Sequence, residues 1–164
     1  MGRTVAAFDF DGTLTKRDSL LPFLAELVGW RRLGTALVRA APAVRDRDVL
    51  KERLFTVVLA GRQLDEITEL GRIYGQRLAT YAVLPEMREK LAWHRAEGHE
   101  TVIVSASLDV YLSTVRECLD IDALLCTQLE TDDEGRCTGR MVGGNCRGEG
   151  KATRLRAYLG AGEV

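Results

Sequence analysis

The stretch from Thr4 to Thr15, TVAAFDFDGTLT, constrains this chain more than any other. Val5 to Phe8 is an apolar run with the length and bulk of a buried strand, and it ends in Asp9, Phe10, Asp11 and Gly12. Two carboxylates two residues apart share a face if the strand continues, and Gly12 lets the chain turn just beyond them. Such a strand delivers paired acids to the crevice beyond its carboxyl end, where open α/β sheets bind ligands. A single Asp there would read as a polar strand end. The run D-x-D-G-T after an apolar strand reads as a site.

The rest of the chain has to cover that strand and complete that site. With 164 residues, 46% of them hydrophobic, there is room for one domain with a real core, or for a compact core with an inserted subdomain. After Thr15 the pattern turns helical and stays so through residue 81. Asp18 or Ser19 can cap a helix with Leu20, Phe23, Leu24, Leu27 and Val28 on one face. Gly29 and Gly34 punctuate it, and Pro42 ends a second helical stretch, Leu33 to Ala41. Asp46 can cap a third helix, with Leu50, Leu54, Val57 and Val58 on one side before Gly61. A fourth, Leu64 to Tyr81, sets Ile67, Leu70, Tyr74, Leu78 and Tyr81 at spacings of three and four. Four amphipathic helices in sequence predict a small bundle whose members bury their stripes against one another. The bundle interrupts the fold directly after the first strand, so it leaves and returns near Asp9 and Asp11, as a lid would.

Pro85 heads a helix through Glu97 that Gly98 closes. Thr101 to Val104 reads as a second buried strand ending at Ser105, followed by a helix from about Asp109 to Leu119 with Tyr111, Val115 and Leu119 on one face. Ala123 to Cys126 reads as a third strand. Gln128 to Val142, with Asp132, Asp133, Glu134 and Gly135 in its middle, reads as a β-hairpin or flap. Gly143, Gly144, Gly148 and Gly150 form a loop, and Lys151 opens a last helix carrying Leu155 and Leu159.

Phosphoryl transfer needs an oxygen nucleophile, a proton donor for the leaving oxygen and positive charge around the transferring group. Asp9 can attack phosphorus to form an aspartyl-phosphate, while Asp11 protonates the leaving alkoxide and then takes a proton from water. Two carboxylates and a phosphate dianion repel one another, so cations are required. Mg²⁺ held by carboxylate and carbonyl oxygens is one, and Lys151 at a helix start, beside free backbone amides, is a second. Ser105 can donate its hydroxyl to a phosphate oxygen with the Ala106 amide beside it, or it can simply cap a helix.

The residues DFDGTLT at 9–15, VIVSAS at 102–107 and NCRGEGK at 145–151 resemble the first three motifs of the haloacid dehalogenase superfamily of phosphatases. The helical insertion after the first motif resembles that of its phosphoserine-phosphatase-like branch, subfamily IB. The resemblance covers essentially the whole chain and is most specific in the first motif. It implies an α/β fold with a Rossmann-like parallel sheet, a helical cap inserted after the first strand, Mg²⁺ dependence and hydrolysis of a small phosphorylated metabolite. Asp9 would be nucleophile and Asp11 acid/base, both also holding the metal, with Gly12, Ser105, Ala106 and Lys151 around the phosphate. The implied division is a core of residues 1–15 and 82–164 and a cap of residues 16–81.

One part of the family pattern is missing. A fourth motif, an acidic pair on a further strand that completes the metal shell, does not follow Lys151 before Val164. Asp132 and Asp133 precede Lys151 and read as a solvated turn. The expectation is a natural chain longer than this one, with the last core strands beyond it, and weak Mg²⁺ binding and little turnover by these 164 residues alone. The first strand, central in the resembling fold, would then have a free edge that favours self-association. The alternative is a noncatalytic phosphate-binding or regulatory domain.

Weaker signals remain. Asp18 can meet a substrate amine or cap its helix, and Arg53 can meet an anion from the lid or lie on a solvated face. From Lys16 to Arg62 there are ten Lys or Arg against five Asp or Glu, an excess of five that can steer anions, rest on an acidic membrane or be mere solvated helix faces. Overall, 23 basic against 24 acidic residues give no basic excess for nucleic acid. Trp30 and Trp93 read as packing, and His94 and His99, five apart, do not share a helix face. Cys118, Cys126, Cys137 and Cys146 form no C-x-x-C pair. With no long apolar segment near the start, the expected location is cytoplasmic.

Overall fold

The computed structural model describes residues 4–40 and 46–160. The end assigned to the second helix at Ala41 and Pro42 lies outside them. Strand β1 (Val5–Phe8) pairs in parallel with β2 (Glu100–Leu108), and β2 with β3 (Ala123–Thr127), giving the order β1-β2-β3. Val5 stands opposite Glu100 and Phe8 opposite Ile103. The central strand is apolar on both faces, the signature of a parallel strand covered from both sides. Ile103 joins the main core with Leu91 of helix α5 (Pro85–Ala96) and Val115 of helix α6 (Asp109–Cys118). On the opposite face Val102 and Val104 meet Leu155 and Tyr158 of helix α7 (Glu149–Leu159). The result is an α/β fold with a Rossmann-like parallel sheet.

The second strand runs to Leu108 instead of ending at Ser105, and its pairing with β3 shifts register between Val104 and Leu108. That extension puts Ser105 and Ser107 on one face, two residues apart. It also removes the helix-cap reading of Ser105, because the next helix opens at Asp109.

Between β1 and α5 lie α1 (Leu20–Val28), α2 (Trp30–Ala40), α3 (Arg47–Val58), α4 (Leu64–Arg77) and a π-helical turn, Leu78–Ala82. Gly34 lies inside α2 rather than between helices. On α3 the buried set is Lys51, Leu54, Phe55 and Val58, while Val57 points outward, so the helix is rotated from the stripe read off its leucines and valines.

The expected bundle, closed on itself, is not what forms. Helix α4 turns Ile67, Gly71, Tyr74 and Gly75 inward and packs on α6 of the sheet layer, leaving Leu70 48% and Tyr81 84% exposed. A Cβ at Gly71 would stand 2.3 Å from the Val110 carbonyl oxygen, and one at Gly75 2.4 Å from that of Tyr111. Two glycines one turn apart therefore let the two backbones touch at the seam between insertion and sheet layer.

The hairpin is β4 (Leu129–Thr131) paired antiparallel with β5 (Cys137–Met141). It is not a free flap. The Gly61 amide donates to the Cys137 carbonyl at 2.8 Å, the Cys137 amide to that of Arg62 at 2.8 Å, and the Leu64 amide to that of Gly135 at 3.0 Å. Asp132 accepts from the Glu134 and Arg136 amides, closing the turn as a solvated Asx motif. Any movement of the α3–α4 connection has to carry the hairpin with it.

Trp30 and Trp93 are 67% and 53% exposed, so neither belongs to the core, though Trp93 packs edge-on against His94 and His99. His94 and His99 meet with their Nδ1 atoms 3.0 Å apart, because Gly98 at φ +70° reverses the chain after α5. The four cysteines are unpaired. Among the described residues no helix is long and apolar enough to cross a membrane.

Candidate active site

The turn after β1 fixes the first two acids. Gly12 takes φ +78°, a conformation costly for any residue with a Cβ, and the Leu14 amide reaches back to the Asp9 carbonyl at 3.3 Å. Nothing lies within 4 Å of where a Gly12 Cβ would be, and Gly12 does not line the cleft. Its positive φ serves the turn.

Above the strand ends is a cleft of about 560 Å³ lined by Asp9, Asp11, Ser105, Ala106, Ser107 and Lys151. Asp18 lines it too, with its carboxylate accepting from the Leu21 amide at 3.1 Å, so it both caps α1 and faces the cleft. Arg53 does not reach it and lies on the exposed side of α3.

Asp9 and Asp11 stand in different surroundings. The Asp9 Oδ1 accepts from the Phe10 amide at 2.8 Å, and its Oδ2 lies 2.6 Å from the Lys151 Nζ, with the Asp9 side chain 43% exposed. Asp11 is more enclosed. Its Oδ1 accepts from the Ser19 amide at 2.8 Å and its Oδ2 from the Ser107 hydroxyl at 2.5 Å. Burial raises its pKa above the ordinary 3.8, only partly offset by the hydrogen bonds from Ser107 and Ser19. Asp9 is accessible beside a cation, and burial lets Asp11 keep a proton more readily than an ordinary aspartate.

Behind Asp11 the support continues. The Ser19 hydroxyl meets the Ser107 hydroxyl at 3.2 Å and the Tyr111 hydroxyl at 3.0 Å, while the Tyr74 hydroxyl donates to the Ser19 carbonyl at 2.9 Å. The acid is thus anchored to both sides of the α4–α6 seam. Ser105 is buried, and its Oγ accepts from the Ser107 amide at 3.0 Å, leaving its hydroxyl proton to be donated.

Lys151 is the third residue of α7, and its ammonium reaches the cleft as expected. The backbone amides beside it do not. Those of Gly150 and Lys151 donate to the carbonyls of Arg147 and Gly148 at 2.9 and 3.1 Å.

Lys51 was not anticipated. It is buried in α3, and its ammonium donates to the Ala106 carbonyl, to Asn145 Oδ1 at 2.8 Å and to Thr127 Oγ1 at 3.4 Å. The Asn145 Nδ2 in turn donates to Asp48 Oδ1 at 2.7 Å. One lysine and one asparagine thereby fasten α3 to the ends of β2 and β3. Burial lowers the Lys51 pKa from the ordinary 10.5 to about 8, opposed first by the nearby Asp48 charge. Between about pH 8 and 10.5 the folded chain has released a proton that the unfolded chain still holds, so this group's contribution makes stability rise with pH across that window. The melting temperature of the wild type, relative to Lys51→Met, is expected to rise between pH 7 and pH 10. A difference that stays flat would mean that the ammonium is not buried.

A family model described as haloacid dehalogenase-like hydrolase matches residues 6–163. Protein CicA of Caulobacter vibrioides is 34% identical, over 95% of this chain and 72% of its own length. A histidinol-phosphatase of Neisseria meningitidis serogroup C is 27% identical, over 96% of this chain and 74% of its own. Among solved structures, a protein of unknown function from Bordetella pertussis Tohama I superposes with a TM-score of 0.79 at 23% identity, over 96% of this chain and 74% of that one. A substrate-bound phosphoserine phosphatase superposes with a TM-score of 0.58 at 15% identity, over 86% and 63%. At these identities the structural likenesses speak for the fold.

Proposed function

The chain belongs to the haloacid dehalogenase-like hydrolase family, and from that premise we propose that it hydrolyses phosphomonoesters through an aspartyl-phosphate on Asp9. The observation that supports this most is the convergence of Asp9, Asp11, Ser105 and Lys151, from three separate stretches of sequence, on one cleft. An Asp9 oxygen attacks phosphorus and the bond from phosphorus to the ester oxygen breaks. Asp11, entering as the acid, gives its proton to the departing alkoxide. A water then attacks the same phosphorus, Asp11 takes the water's proton, and the acyl–phosphate bond breaks to restore the Asp9 carboxylate and release inorganic phosphate. Lys151 and the Ser105 hydroxyl hold the phosphoryl oxygens, and the insertion over the sheet forms a cap, residues 16–81, that limits water.

A divalent cation belongs in this reading. Among the described residues no three Asp, Glu, His or Cys side chains form a metal cluster. The Asp9 carboxylate and the Asp11 backbone carbonyl, together with substrate oxygen and water, are nevertheless a donor set that Mg²⁺ accepts, and Asp9 and Asp11 would hold it through those oxygens. Bound, it would offset the charge of the phosphoryl group.

Asp11→Asn separates the two steps. With 4-nitrophenyl phosphate, whose leaving group needs no proton, the full-length gene product carrying this change is expected to accumulate phosphoenzyme while steady turnover falls roughly 10²–10⁴-fold. Acid-quenched mass spectrometry would read it. The same change removes a buried carboxylate and is expected to raise the melting temperature by about 2–4 °C, about 1 kcal/mol for a chain of this size. Unchanged turnover would remove Asp11 from the mechanism.

A further inference from the structure

The same cleft has a second half that phosphate chemistry does not use. On α3, Arg47, Leu50, Lys51 and Leu54 follow at spacings of three and four and all line it. Leu20 from α1 and Leu37 from α2 add apolar lining to the same cleft that holds the acids and serines. Leu20, Leu37 and Leu50 are each only half-buried, so this lining is open to water. A purely polar leaving group would leave it so. Apolar surface inside a concave site is a binding feature more often than a stability feature.

Two guanidiniums among the lining side chains carry charge. Arg47 and Arg147 both line the cleft, both are exposed, and neither side chain bonds or pairs with another described residue. Lys151 is paired with Asp9, and Lys51 is committed to Ala106, Asn145 and Thr127. The two arginines are therefore the cations left for something other than the transferring phosphoryl group. Asp18 is the acidic lining residue outside the D-x-D pair, and its carboxylate is engaged by the Leu21 amide.

We propose that the leaving group of the substrate is amphiphilic, an apolar body lying on the wall of Leu20, Leu37, Leu50 and Leu54 and ending in an anionic group held by Arg47 and Arg147. This rests on the phosphomonoesterase reading of the cleft and names the class of ester it takes. A short zwitterion such as a phosphorylated amino acid would leave the leucine wall uncovered.

The test is a binding ladder on the full-length gene product by calorimetry, using methylphosphonate, benzylphosphonate, 4-carboxybenzylphosphonate and 4-(aminomethyl)benzylphosphonate. The benzyl ring is expected to tighten binding about tenfold over methyl, and the carboxylate about three- to tenfold more, while the aminomethyl analogue gains nothing over benzyl. Arg47→Ala combined with Arg147→Ala should erase the carboxylate increment and keep the ring increment. Leu50→Gln should do the reverse. Equal affinity across the four, preference for the aminomethyl analogue, or no binding by any of them would overturn the proposal. Hydrolysis of 4-nitrophenyl phosphate with Mg²⁺ in the same preparation reports separately on the phosphomonoesterase reading.

Discussion

Replacing Asp9 by asparagine is expected to leave the protein folded and to lower turnover roughly 10⁴-fold or more, the scale of losing a covalent nucleophile. The amide keeps the shape of the carboxylate and an oxygen to accept from the Phe10 amide, a bond of 2.8 Å in the wild type. What it loses is the anionic oxygen paired with Lys151 and the electron pair that attacks phosphorus. That ion pair is partly open to solvent, with side-chain exposures of 25% and 43%, so its loss should cost only about 0–1 kcal/mol. A variant that melts like the wild type but releases no phosphate from 4-nitrophenyl phosphate in Mg²⁺ fits this account. A well-folded variant retaining about a tenth of the activity would exclude Asp9 as nucleophile.

The second large effect lies on the seam between the insertion and the sheet layer, and the same substitution at an exposed helical position away from the seam should act with the opposite sign. At Gly71 a methyl group would stand 2.3 Å from the Val110 carbonyl oxygen and 2.7 Å from its carbon. Both belong to backbone, so the neighbour cannot simply rotate away, and α4 must lift from α6. Overpacking of this kind costs about 1–3 kcal/mol or more and outweighs the roughly 1 kcal/mol that alanine gains over glycine within a helix. With a net loss of about 1–2 kcal/mol, Gly71→Ala is expected to lower the melting temperature by about 2–8 °C. Gly34, inside α2, has nothing within 4 Å of its would-be Cβ and is exposed, so Gly34→Ala should raise stability by about 0.5–1 kcal/mol. The Gly71 change should also slow catalysis beyond its effect on stability, because Tyr74 and Tyr111, on the two sides of the seam, hold Ser19, whose amide holds Asp11. Thermal melts and phosphate release on the two variants would read both effects. A neutral Gly71→Ala would mean that the helices are not in backbone contact.

What could be read from the chain before any coordinates was what is encoded locally. A buried strand ending in D-F-D-G is a contiguous signal, and so is Pro85 at a helix start. β1 and α5 begin and end within a residue of where periodicity and turn chemistry put them. Asp9, Asp11, Ser105, Ala106 and Lys151 reach the cleft because each belongs to such a signal. Lys51 escaped because a lysine beside Leu50 on an amphipathic helix ordinarily marks the solvated edge of the stripe, and its three acceptors lie far off in sequence on β2, β3 and the loop before α7. Arg53, chosen instead, sits two residues along the same helix and so about 200° around it. The packing of α4 on α6 was in principle visible in the four-residue spacing of Gly71 and Gly75. Hydrophobic periodicity counts side chains, however, and an interface made of their absence does not register. Ser107 is absent from the predicted site because β2 is expected to close at Ser105, three residues short of Leu108, and with it goes the partner that enfolds Asp11.

The claim on which the rest depends is that phosphate passes through a covalent bond to the first acid of the pair. Borohydride quenching during turnover of a phosphomonoester, followed by peptide mass mapping, reads this directly, because an acyl phosphate is reduced to the alcohol and its aspartate becomes homoserine. Homoserine at position 9, with Asp11 unaltered, is the predicted result. Turnover that continues while position 9 stays aspartate, or homoserine found at position 11, would contradict it.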